Sequence, residues 1–284
     1  MFELQLENKN GLNLKLTQNE SKYQVVSIDG FQPPSATINT SEVTNMDGAK
    51  YKSSFLNVRN IVLLVQLKGN VEENRLRLYE IASTNEYCKI YYKNNSRNIY
   101  CEGYVETIEN DLFSNSQTVQ VSILCPNPYL FELNQIYVDI SKTFDNFEFP
   151  FAIEKNGVEF STVLEEREVP VYNVGEVATG LEITLTVDGG TVLNPVIYNV
   201  ITGEFLKLNT QINKGEVITI NTNTSKKSIK KYVDGKEQNI INTLARGSTW
   251  HKLKVGTNVF TYGAEIGEIG LHVSFDYNNL YKGV

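Results

Sequence analysis

Histidine, tryptophan, cysteine and proline are all scarce in this chain of 284 residues, which holds 2 His, 1 Trp, 3 Cys and 7 Pro. Two histidines leave few options for His-based metal or nucleophile chemistry. No HExxH, GxSxG, GxGxxG, P-loop or CxxC pattern occurs, which removes the enzyme classes most readable from sequence. Catalytic residues, cofactors and metal ligands are therefore not expected. Three cysteines give no disulfide framework and suit a chain that folds in a reducing cytosol. Seven prolines rule out a long proline-rich linker. No run approaches the ~20 apolar residues that span a bilayer, so membrane insertion is not expected. The opening MFELQLENKNGLNL lacks a basic stretch leading into an apolar one, so no signal peptide is expected. Basic charge is short as well. The 26 Lys and Arg stand against 33 Asp and Glu, for a net −7. Phosphate contacts depend on clustered cations, so sequence-specific nucleic-acid binding is not expected.

What the chain does have is the composition of a folded globular protein, 41% hydrophobic and 21% charged, with 16 Tyr and 13 Phe. Its length suits two domains of roughly 150 residues each. The clearest signal is Ser116–Phe131, SQTVQVSILCPNPYLF. Val119, Val121, Ile123 and Cys125 share one face at the two-residue period of a strand. Pro126 and Pro128 then end the pattern and are expected to set the exit toward a second domain. Upstream, Phe2–Leu6, Tyr23–Ile28 and the apolar Asn60–Lys68 read as strands. A polar stretch over 33–60 reads as a long exposed loop or hairpin. Asn70 with Glu73 predicts a capping box, opening a helix whose apolar stripe is Val71, Leu78, Ile81 and Ala82. Cys88–Lys93 and Arg97–Thr107 predict a hairpin turning at Asn94-Asn95-Ser96.

The fold expectation is mainly β. An N-terminal β-sandwich or split barrel with one α-helix spans 1–132, a linker 133–148, and a second β-sandwich 149–284. In the second half Leu181, Ile183, Leu185 and Val187 alternate cleanly with Glu182, Thr184 and Thr186. Val217–Asn221, Ser228–Val233, Leu253–Val255 and Leu271–Tyr277 add short strands between Gly- and Asn-rich turns.

Few side chains invite chemistry. Glu165, Glu166 and Glu168 are sequence neighbours that project to opposite faces, and they read as a solvated edge rather than an acid/base pair. Lys226, Lys227, Lys230 and Lys231 read as an exposed, lysine-guarded edge. Cys88 is expected opposite Cys101, as two buried thiols in a reducing setting or a strained disulfide in an oxidising one. Alternation places His251 with Leu253 and Val255, partly buried, and His272 with Ser274 and Asp276 on the wet face. Trp250 is the one candidate contact residue. It reads either as a sugar-stacking platform or as core packing or a subunit contact.

Several segments, taken together and in order, carry a resemblance. YKSSFLNVRNIVLLVQL, ENRLRLYEI, KIYYKN, RNIYCEGYVETIE and QTVQVSILCPNPYLFE resemble the N-terminal domain of siphophage distal tail proteins. VYNVGEVATGLEITL, NPVIYNVITGEFLKLN, GEVITINTNTSKKSI, GSTWHKLKVGTNVFTY and LHVSFDYNNLYKGV are similar to that family's galectin-like, carbohydrate-module-like C-terminal domain. The resemblance implies a structural protein of the virion tail tip, a homo-hexamer forming a hub ring with a channel for DNA. The tail tube protein, the tail-associated hub protein and receptor-binding proteins are its implied partners. A carbohydrate-binding or adhesin protein using the C-terminal sandwich is the alternative.

Overall fold

The computed structural model describes residues 2–17, 22–42, 44, 47–114, 116–141 and 168–284. These fall into two compact units, Met1–Asn134 with Leu280–Val284, and Gln135–Asn279. The chain is mainly β, with one α-helix among the described residues.

The first unit contains β1 (Glu3–Asn8), β2 (Asn13–Thr17), β3 (Tyr23–Asp29), β4 (Ala36–Glu42), β5 (Ala49–Leu56), β6 (Arg59–Leu67), helix α1 (Val71–Ile81), β7 (Tyr87–Lys93), β8 (Asn98–Asn110), β9 (Thr118–Cys125) and β10 (Leu130–Glu132). Its main sheet runs β2-β1-β7-β8-β9-β6-β3, and its end strands β2 and β3 do not pair with each other among the described residues. The strand period puts Ile61, Leu63 and Val65 of β6 beside Val119, Val121 and Ile123 of β9 in one core. One edge of the long β8 is divided, with β10 against Ile99 and Tyr100 and β9 from Tyr104 onward. Helix α1 buries Leu78, Ile81 and the flanking Ala82, as its stripe predicts. Its N-cap differs from expectation. The Asn70 amide donates to the Glu73 carboxylate at 2.9 Å, and no side chain caps the backbone.

Two further expectations give way here. Cys88 lies opposite Gly103, and Cys101 opposite Ile90. The hairpin turns through four residues, with the Asn94 amide donating to the Arg97 carbonyl, which shifts the pairing by two positions from the expected one. Cys88, Cys101 and Cys125 are all buried free thiols. Burial pushes the Cys88 thiol up to about 12. Nor do Pro126 and Pro128 lead out of the unit, because the chain continues into β10, which pairs back onto β8.

The second unit contains β11 (Ile136–Asp139), β12 (Val169–Asn173), β13 (Glu182–Val187), β14 (Thr191–Leu193), β15 (Val196–Asn199), β16 (Phe205–Lys207), β17 (Gln211–Asn213), β18 (Val217–Asn221), β19 (Ser228–Val233), β20 (Lys236–Asn239), β21 (Gly256–Gly263) and β22 (Leu271–Tyr277). One sheet runs β11-β22-β13-β18-β19-β20 and the other β12-β21-β15-β16. Ile183, Leu185 and Phe275 from the first share a core with Val171, Ile197 and Phe260 from the second. Phe260 and Phe275 meet edge to face at 5.0 Å. Shared burial between two antiparallel sheets is the sandwich arrangement. Of the stretch expected as linker, Ile136–Asp139 forms β11, while 142–148 lies outside the described residues. Leu253 makes a single bridge with Thr179 where a strand was expected. A last strand, β23 (Leu280–Tyr281), pairs with β10 and belongs to the first unit.

Candidate functional site

The polar stretch between the third and sixth strands folds into the hairpin β4–β5, which joins no other sheet among the described residues. Twelve of its fifteen strand positions are exposed and none is buried, so both faces are open to solvent along nearly the whole length. Ile38, Tyr51 and Phe55 on it, and Val58 just after it, are 62, 60, 57 and 55% exposed. A lone two-stranded hairpin is marginal in water, and clustered exposed apolar side chains mark a contact surface. The base is firmly tied. Asn57 donates its backbone amide to the Ser35 carbonyl at 2.9 Å, and Thr37 donates its hydroxyl to the Asn57 side chain at 2.7 Å.

Just past that base stands Arg59, 2% exposed. Alternation along β6 points it inward with Ile61, Leu63 and Val65, and that inward cation was the missed signal in the sequence. Its counter-groups are carbonyls. Nε donates to Pro128 at 2.8 Å, Nη1 to Gln32 at 2.9 Å and to Gly30, and Nη2 to Lys282 at 2.6 Å. Burial pulls its pKa below the ordinary arginine value. Gly30 has φ +93°, and a Cβ there would run into the Asn60 carbonyl, so the approach of this loop to β6 requires glycine. One guanidinium thus ties the loop after β3, the Pro126-Asn127-Pro128 turn and the Leu280–Val284 segment together. Pro128 serves this clamp as a carbonyl acceptor.

The residues singled out earlier are scattered. Trp250 is half-buried against the second core, and the Lys227 ammonium lies 5.4 Å from its ring centroid. Lys230 pairs with Glu237 at 2.9 Å and Lys231 with Glu216 at 2.7 Å, while Lys226 is exposed. Glu168 is exposed; Glu165 and Glu166 lie outside the described residues. His272 is as wet as alternation predicted, and it sits between Asp188 (2.6 Å) and Ser141 (3.3 Å). That line mimics a nucleophile, base and carboxylate. A hydroxyl has one proton to give, however, and Ser141 donates it to Asp139 at 2.7 Å while accepting from the Val273 amide. Ser141 is also buried. The array braces β11 against β22 and does not poise a nucleophile.

His251 is fully buried rather than partly so. Its Nε2–H donates to the Ile197 carbonyl at 3.1 Å, Nδ1 has no partner, and Phe260 meets the ring edge at 5.5 Å. Burial depresses its pKa. The folded state therefore keeps the ring neutral while the unfolded chain protonates below about 6.5, so stability falls as pH drops through that value. The loss should begin near pH 6.5 and grow as the pH falls further. Thermal melts of wild type and His251→Gln across that range should differ in slope. Parallel curves would remove His251 from the effect.

Comparison with known proteins follows the same division. The model for a phage tail protein RIFT-related domain matches residues 9–125. The model for the siphovirus-type tail component, C-terminal domain, matches residues 174–281. Among solved structures, the SPP1 Dit (gp 19.1) protein, described as a paradigm of the hub adsorption apparatus in Gram-positive infecting phages, is 13% identical. It superposes with a TM-score of 0.68 over 97% of this chain and 98% of that one. Chains of the phage P2 baseplate in its activated conformation, with Ca and with Sr, are 9 and 8% identical. Each covers both chains fully, with TM-scores of 0.57 and 0.54. No curated protein sequence matches. At such identities the superpositions establish the fold, while the two family models take in most of the sequence in order. The chain belongs to the siphovirus-type tail components, the distal tail proteins of siphophages.

Proposed function

We propose that this distal tail protein is the subunit of a six-membered hub ring at the end of a phage tail, assembled through the first unit around a channel for DNA. The observation that carries this reading is the β4–β5 hairpin, an ordered arm with apolar side chains exposed on a unit whose own core does not need it. Such an arm gains its burial from a neighbour, and a ring lets every copy both give and receive one. Neighbours in a ring would also cover the open edges that β2 and β3 leave on the main sheet. A net charge of −7 suits a passage along which DNA slides without sticking. The tail tube protein, the tail-associated hub protein and the receptor-binding proteins are the partners such a ring would join. No helix among the described residues is long and apolar enough to cross a membrane.

Light scattering and negative-stain imaging of the purified chain test this directly. Six-fold rings of six times the 32.1 kDa chain mass are expected, alone or on added tail tubes. A permanent monomer that never enters tails would end the proposal.

A further inference from the structure

The loop between β8 and β9 displays Phe113 at 99% exposure, beside Leu112 at 47%. This is no loose tip. Gln117 donates its amide to the Leu112 carbonyl at 3.0 Å and accepts from Arg75 of α1 at 3.3 Å. The Asp111 amide donates to the Thr118 carbonyl at 3.2 Å, and the Ser116 amide to the Ser114 hydroxyl at 3.2 Å. A bonded loop holding a bare phenyl ring in water is a preformed anchor, since little ordering remains to be done on contact.

The same unit carries a matching recess. Leu14, Lys22, Tyr23, Glu73, Asn74, Leu76, Arg77 and Glu80 line an open cleft of about 640 Å³ between α1 and the β2–β3 side of the sheet, where Glu73 already accepts from the Asn70 amide at 2.9 Å. Its floor is fixed, because the Tyr23 hydroxyl donates to the Asn74 carbonyl at 3.0 Å. Its lip is apolar, with Leu76 59% exposed. Arg77 already pairs with Glu80, which leaves the exposed Lys22 without an ion-pair partner among the described residues. Asp111, next to the anchor, is exposed and likewise unpaired among them. Anchor and cleft flank the same strand end. At the close of β6, the Leu67 amide donates to Gln117 on one side and the Lys68 amide to Lys22 on the other.

We infer that Leu112 and Phe113 of one copy seat in the Leu14–Tyr23–Leu76 cleft of the next, with Asp111 meeting Lys22 across the contact. The proposal rests on the ring reading and names a contact within it. Anchor and cleft are two different patches, so the anchor of one copy can meet the cleft of the next head to tail, the kind of contact that can close into a ring.

Sedimentation velocity of the full chain over a concentration series tests it. Phe113→Asp and Leu76→Asp should each raise the concentration for half-assembly ~10-fold or more, as loss of a central anchor does. Asp111→Lys and Lys22→Asp should each weaken assembly, and the double variant should restore it. Thermal melts should stay near wild type, because these side chains are exposed. Rings that form at the parental concentration in Phe113→Asp, or no restoration in the charge swap, would overturn the contact while leaving the ring standing. Failure of the wild type to form rings would overturn the ring reading, and this contact with it.

Discussion

Arg59→Met should lower the melting temperature of the first unit by ~10 °C, the shift that about 3 kcal/mol produces in a unit of this size. The estimate comes from opposing effects. Removing the guanidinium strands four carbonyls, each worth about 1–3 kcal/mol if left buried without a donor. Against that, several kcal/mol spent on desolvating the cation are recovered. The carbonyls win, because the loop after β3, the Pro128 turn and Lys282 all converge on this group. Arg59→Lys should rescue little. An ammonium has three donors around one point, whereas the planar fork reaches groups on three separate segments. Calorimetry resolves the question, since the second unit has its own core and provides an internal reference. A variant melting within about 1 °C of wild type would mean that the three segments hold themselves in place.

Deleting the hairpin, with Ser35 joined to Asn57 through two glycines, should abolish ring formation yet leave the monomer folded. The splice is natural, because Ser35 and Asn57 are already bonded across the base. The hairpin buries almost nothing within its own unit, so its removal should change monomer stability by about 1 kcal/mol or less. Its exposed Ile38, Tyr51 and Phe55 would each be worth roughly 1.5–3 kcal/mol once covered by a neighbour. Native mass spectrometry at the concentration where wild type is fully assembled should then show only single chains. Intact rings from the deletion variant would move the interface elsewhere on the unit.

Period-two alternation made the strands of both cores legible, and β9 and β13 fall where Val119–Cys125 and Leu181–Val187 placed them. The helix was readable from its 3.6-residue stripe. The closeness of Trp250 to Lys227 was not readable, because it is a contact between residues distant in sequence. The Cys88–Cys101 pairing failed because register hangs on turn length, and a four-residue turn moves every partner along the strand. The Arg59 clamp was hidden for another reason. Its partners are main-chain carbonyls, which leave no side-chain signature, and they come from segments up to 223 residues away. Phe113 gave no signal at all, since a single exposed aromatic in a polar loop breaks no pattern.

The position of Leu280–Val284 in the first unit has a consequence in time. Translation reaches the partner of β10, and the Lys282 carbonyl that Arg59 grips, only after all of Gln135–Asn279 has been synthesised. The first unit of a nascent chain is therefore unfinished throughout synthesis of the second. A chain that stalls before Leu280 lacks both the strand that pairs with β10 and one of the carbonyls that hold Arg59.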